Sequence, residues 1–131
     1  MIVADASAVL ELLLNTERGW QIGRRFNARG ETLHAPHLLD VEVLQVLRRY
    51  ARERTLDDGR AAEALIDLKE LPIERYPHGA LAERAWQLRH TLTAYDAVYV
   101  ALAEALDATL VTCDAKLSRT TGHDATIALV R

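Results

Sequence analysis

Four acidic residues sit where the pattern of the chain can bring them to one crevice: Asp5 just behind a short apolar run, Glu42 inside a helical stretch, Asp96 at the opening of another, and Asp114 just behind a later apolar run. Carboxylates that converge in a cleft repel one another, and their ionised forms are disfavoured unless protons or cations compensate. A divalent ion compensates well. Hard oxygen donors, with no Cys and no recognisable His pair among them, select Mg²⁺ or Mn²⁺ over zinc. Such an ion makes water easier to deprotonate and polarises a phosphate oxygen, so phosphodiester hydrolysis is the chemistry this set suits.

Taken singly, each acid has a structural explanation. Asp5 can cap the helix that follows it, and Asp114 can open the short Ala115 to Arg119 turn. Glu42 can pair with Arg49 on a helix surface, and Asp96 completes a Thr93-x-x-Asp96 cap. Capping and ion binding are compatible, and only the set of four makes a site prevail. Other residues carry less. His34 and His37 straddle Pro36 without the one-face spacing of a metal pair, which assigns them core or surface roles. Cys113 has no triad partner and is expected to pack, Trp20 and Trp86 to anchor the core, and Asp57-Asp58 to cap a helix.

The elements that must position these acids follow from periodicity. Ile2 to Ala4 predicts a strand ending at Asp5, and Ser7 introduces a helix through Leu14. A second helix is expected over Glu17 to Arg29, stopping at Gly30, then a strand over Thr32 to Ala35. Pro36 stands near the start of a long helix through Arg54, in which Leu44, Leu47 and Ala51 predict an apolar stripe and Glu42, Gln45, Arg49 and Arg52 a polar one. Thr55-x-x-Asp58 reads as a capping box for a fourth helix that ends near Leu71, because Pro72 follows. Ile73 to Tyr76 is a strand candidate, Gly79 to His90 and Asp96 to Leu106 are helices, and Thr109 to Thr112 and Thr126 to Val130 are strands. Strands alternating with helices indicate an α/β domain with a mainly parallel sheet, spanning residues 1–131 without a linker or repeat. Such sheets bind ligands at the carboxyl ends of their strands, where Asp5 and Asp114 lie.

Composition narrows the classes. The chain has 131 residues, half of them hydrophobic, with no apolar run near the roughly 20 residues a membrane span requires, so disorder and membrane spanning are excluded. The opening Met1-Ile2-Val3-Ala4-Asp5 lacks the basic flank of a secretory signal, and a single cysteine fits the expected cytosolic location. A net charge of -3 argues against a general DNA-coating protein. Of the 16 basic side chains 14 are Arg, suited to phosphate contacts; Arg24-Arg25, Arg48-Arg49, Arg52 and Arg54 are candidates, although such runs are usually solvated helix faces.

Four segments carry a family resemblance: Asp5-Ala6-Ser7 after the first strand, Glu42 within Pro36 to Leu44, Tyr95-Asp96-Ala97-Val98-Tyr99-Val100-Ala101-Leu102-Ala103, and Leu110-Val111-Thr112-Cys113-Asp114. In order and overall length they resemble the PIN-domain nucleases, in particular the VapC-type toxins of toxin–antitoxin modules, over essentially the whole chain. The resemblance implies a PIN-like α/β/α sandwich and an Mg²⁺- or Mn²⁺-dependent endoribonuclease that leaves a 5′-phosphate and a 3′-hydroxyl. It also implies a homodimer and inhibition by a cognate antitoxin. Carried over by position, Asp5, Glu42, Asp96 and Asp114 become the metal-coordinating catalytic acids, with Ser7 and Thr112 as hydroxyls that orient them or a bound water. Two positions depart from the pattern: Gln45 stands where many relatives have Asn, and Lys116 where some have a further acid, for which Asp40 and Asp124 are weak substitutes.

Three other functions compete. A solitary RNA-processing nuclease would share the site and lack the antitoxin. A response-regulator-like phospho-acceptor would need an acid pair at its first strand, where Asp5 stands alone. A non-catalytic protein-binding module is disfavoured by acids at all four positions.

Overall fold

The three residues of β1 (Ile2–Ala4) are fully buried, as a strand covered on both faces demands. In the computed structural model, which describes residues 1–131, β1 lies at the centre of a five-stranded sheet ordered β3-β2-β1-β4-β5, every neighbouring pair parallel. The remaining strands are β2 (Leu33–Pro36), β3 (Ile73–Tyr76), β4 (Thr109–Thr112) and β5 (Thr126–Leu129). Helices α1 (Ala6–Leu13), α2 (Glu17–Phe26), α3 (Leu38–Arg52) and α4 (Asp58–Glu70) precede β3, and α5 (Ala82–Gln87), α6 (Ala94–Leu106) and α7 (Ala115–Ser118) follow it.

Strand alternation sends side chains into two cores. Ile2, Ala4, Leu33, Ala35 and Val111 pack with α1 to α4, whereas Val3 and Leu110 pack with α5 to α7. This three-layer α/β/α arrangement follows from connectivity. The chain runs outward from β1 to β3 over one face, returns across the sheet to β4 over the other, and continues outward to β5, as right-handed crossovers require. The direction therefore reverses beside β1, and the crevice between the carboxyl ends of β1 and β4 is the switch point at which open parallel sheets place ligands. The order also excludes the response-regulator alternative, whose sheet runs 2-1-3-4-5.

Several local expectations need correction. Helix α1 starts at Ala6 behind its Asp5 cap, before the expected Ser7, and α2 stops at Phe26, short of Gly30. Pro36 closes β2 instead of starting α3; β1 pairs with β2 only as far as His34, so the missing N–H of Pro36 forfeits no bond on that side. In α3 the buried stripe is Leu39, Val43 and Leu47, four residues apart, and Leu44 faces outward. Asp57, not Thr55, caps α4 by accepting from Gly59 N at 2.9 Å, while Thr55 donates back to Tyr50 O. The segment from Gly79 to His90 breaks into a 3₁₀ turn (Gly79–Leu81) and the short α5. Trp20 and Trp86 are 72% and 67% exposed, not core anchors: Ile22 and Phe26 fill the buried face of α2, and Ala85 and Leu88 are the buried residues around α5. Arg89 covers the Trp86 ring at 4.4 Å.

Candidate active site

The register that pairs Ala4 with Val111 sets Asp5 beside Thr112, one residue beyond each strand's paired stretch. Asp5, 6% exposed, has extended backbone and caps α1, its Oδ1 accepting from Ala8 N at 3.0 Å. Ser7 Oγ donates to the same oxygen at 2.7 Å, and Thr112 Oγ1 donates to Oδ2 at 2.5 Å. Each hydroxyl has one proton, and both protons are committed to Asp5. Their acceptor sides are used as well, Ser7 Oγ by Cys113 N at 2.9 Å and Thr112 Oγ1 by Asp114 N at 3.0 Å. Ser7 and Thr112 thus tie the start of α1 to the end of β4 and hold one carboxylate in a fixed plane.

Glu42 projects from the second turn of α3 and Asp96 from the first turn of α6, whose N-cap Thr93 accepts from Asp96 N at 3.2 Å. Both helices begin at the carboxyl edge of the sheet, α3 directly after β2 and α6 by running antiparallel into β4. Burial raises the Asp5 carboxyl above the ordinary range against the opposing hydrogen bonds from Thr112, Ala8 and Ser7, and the Asp96 charge adds to the rise. Burial likewise raises Glu42, with the Asp96 and Asp5 charges in the same direction, and burial and the Asp114 charge raise Asp96. Asp5, Glu42 and Asp96 thus lie close enough to feel one another's charge, and Asp114 lies close enough to act on Asp96.

They are not equivalent. Asp5 accepts two hydrogen bonds at Oδ1 and one at Oδ2, and Asp114 is exposed and caps α7 through Lys116 N and Leu117 N. Glu42 Oε1 is buried without a partner. As the side chains stand, no three His, Cys, Asp or Glu close around a common point. The donor set still fits a hard divalent ion: it is all oxygen, and its ionised forms are mutually disfavoured.

A residue of the Tyr95 to Ala103 segment to which the sequence assigned no role joins this group. Tyr99, 2% exposed, follows Asp96 by three residues on α6, and its hydroxyl faces Glu42. Burial and the adjacent carboxylate hold the phenol protonated, yet its oxygen also completes no hydrogen bond of ordinary geometry. The available signal was one polar-tipped ring at i+3 from Asp96 in a helix otherwise made of Ala, Val and Leu on that side.

A groove of about 700 Å³ opens beside two of the acids, lined by Ser7, Glu42, Gln45 and Asp114 together with Arg18, Arg49 and Tyr95, while Asp5 and Asp96 lie outside its lining. Gln45 thus reaches the groove. Lys116 lies close enough to Asp96 for its charge to favour the ionised carboxylate. Cys113 also lines the groove, but burial pushes its thiol up to about 11, consistent with packing rather than nucleophilic attack. Neither substitute acid belongs here. Asp40 is held by Arg75 through two hydrogen bonds of 2.7 and 2.8 Å, and Asp124 sits before β5, its N–H donating to Glu104 at the opposite edge of the sheet. His34 is buried between Thr32 and Tyr76, away from the cleft, and His37 is exposed.

Comparison with known proteins agrees with this layout. The family model described as PIN domain matches residues 2–122. The chain is 44% identical over 130 residues to Ribonuclease VapC12 of Mycobacterium tuberculosis, covering 99% of both. Among solved structures, PAE2754 from Pyrobaculum aerophilum superposes with a TM-score of 0.69 at 26% identity, over 96% of this chain and 87% of that one. VapBC2 from Rickettsia felis, solved with a DNA fragment, shares the fold at a TM-score of 0.70 and 14% identity, over 98% of each chain.

Proposed function

This chain belongs to the PIN-domain family of VapC-type proteins, and from that premise we propose that it is a divalent-metal-dependent endoribonuclease acting as the toxin of a toxin–antitoxin pair. The observation that carries the proposal is the placement of Asp5 at the β1–β4 switch point, tied to β4 through Ser7 and Thr112, next to a groove that Glu42 and Asp114 line with Arg18 and Arg49. The ribonuclease name of the relative that aligns end to end supports RNA as substrate.

Asp5, Glu42, Asp96 and Asp114 would hold Mg²⁺ or Mn²⁺, and Ser7 and Thr112 would keep Asp5 in place. Bound there, the ion supplies Lewis-acid activation of water and of a phosphate oxygen for hydrolysis. Arg49, exposed on the groove wall, and Arg18, already paired with Glu11 at 2.6 Å, offer guanidinium groups to flanking phosphates. Exposed Tyr95 offers a ring on which an unstacked base can lie. The Rickettsia felis neighbour was solved as a VapBC pair, which supports a cognate antitoxin as the partner that neutralises this chain. A homodimer and a cytoplasmic location complete the proposal, and no helix is long and apolar enough to cross a membrane.

The test is incubation of purified, antitoxin-free protein with a panel of structured RNAs in Mg²⁺, in Mn²⁺ and in EDTA, beside Asp5→Ala and Asp96→Asn. Cleavage should require the metal and disappear in both variants while the circular dichroism of the folded chain persists. Undiminished cutting by both variants would mean that the site lies elsewhere or that a contaminating nuclease acts.

A further inference from the structure

Two buried side-chain polar atoms of this protein lack a hydrogen-bond partner, Glu42 Oε1 and the hydroxyl oxygen of Tyr99, and they belong to side chains that face one another. A phenylalanine would fill the same space on α6 without leaving a buried hydroxyl unsatisfied. The hydroxyl therefore has no packing rationale. The other inner acid shows what such a group is for: Asp5 receives one hydroxyl from its own helix and another from β4, which fix the plane of its carboxylate. Glu42 has no donor on α3 or on the sheet, and Tyr99 is the hydroxyl directed to it from α6.

We infer that Tyr99 is a positioning residue for Glu42: when Oε2 faces a divalent ion in the cleft, the Tyr99 hydroxyl donates to Oε1. A ligating carboxylate with one oxygen held by a hydrogen bond has a defined orientation and loses less freedom when it binds, which is why outer hydrogen-bond partners of metal ligands matter to affinity. The paired orphans are explained by this division. Glu42 Oε1 is the oxygen reserved for Tyr99, and the hydroxyl is retained at the cost of a polar atom in the core. The same arrangement couples α6 to α3, since Asp96 and Tyr99, one turn apart, address the site from a single helix face.

The inference rests on the cleft being a divalent-metal site, and the experiment separates the two. Mn²⁺ affinity is measured by isothermal titration calorimetry and by electron paramagnetic resonance of free Mn²⁺, with no RNA present, for the unmodified chain, Tyr99→Phe, Glu42→Gln and the double variant. Tyr99→Phe should bind Mn²⁺ about 10–100-fold more weakly than the unmodified chain while its melting temperature in EDTA stays the same or rises. In the Glu42→Gln background, Tyr99→Phe should cause no further loss, because the hydroxyl acts through the carboxylate. Equal affinity of Tyr99→Phe and the unmodified chain would overturn the inference and leave the metal site standing. So would a fall in affinity matched by a fall in melting temperature, or an undiminished further loss in the Glu42→Gln background. No Mn²⁺ binding by the unmodified chain would overturn the metal site and the inference together.

Discussion

Asp5, Glu42 and Asp96 carry a cost that the rest of the fold must cover. A carboxyl whose pKa is raised on folding holds its proton more tightly in the folded chain than in the unfolded one, so ionising it weakens the fold. For these three the stabilising contribution is fully present below the ordinary carboxylate range and is lost as pH rises through the raised values. Asp96→Asn should therefore melt near the unmodified protein at pH 4 and above it at pH 7. Asp96 is only half buried, so solvent limits the difference to roughly 2–4 °C. Thermal melts at the two pH values check this, and an equal gain at both would show that charge is not the cause. The same substitution is expected to abolish RNA cleavage. Stability at neutral pH and activity then move in opposite directions, as at a site built from mutually repelling groups.

The helices place these side chains by unusually close approach at one point. A Cβ on Gly19 would stand 2.1 Å from the Glu11 carbonyl oxygen, so α1 and α2 meet backbone to backbone, and the Arg18–Glu11 pair beside that contact lines the groove. Gly19→Ala should cost about 1–3 kcal/mol or more in chemical denaturation, because backbone cannot yield as a flexible side chain would. A cost within error of zero would mean that the two helices slide apart freely. On α3, Asp40 and Glu42 are two residues apart and point to different neighbours, Asp40 to Arg75 of β3 and Glu42 to the cleft. Asp40→Asn should leave cleavage unchanged and cost about 1 kcal/mol or less, since the ion pair is partly exposed. Loss of cleavage in that variant, assayed on the RNA cut by the unmodified chain, would place Asp40 in the site after all.

For the molecule as a whole, the four acids come from elements distant in sequence, the end of β1, α3, α6 and the segment after β4, so an ion held among them would cross-link the fold. A ligand that binds only the folded chain stabilises it by about 2.7 kcal/mol at a hundredfold excess over its dissociation constant. Mn²⁺ should thus raise the melting temperature at pH 7 and do so less at pH 4, where protons compete for the raised carboxylates of Asp5, Glu42 and Asp96. A rise of equal size in Asp5→Ala would locate the ion elsewhere. Much of this was legible in the chain itself. Apolar runs bounded by Asp5 and Asp114, the Thr93 cap and the alternation of strands with helices are local or periodic signals, and they determined the fold class and the order of elements and singled out the four acids as candidates. Signals of one helix face were less secure, because Leu44 and Val43, or Trp20 and Ile22, differ only in direction, and direction is fixed by what packs opposite. Long-range geometry was not written in any segment. The sheet order that sets β1 beside β4, the commitment of Asp40 to Arg75, the distance of Asp124 from the cleft and the pairing of Tyr99 with Glu42 arise from contacts between residues far apart in the chain, and only the packed tertiary structure decided them.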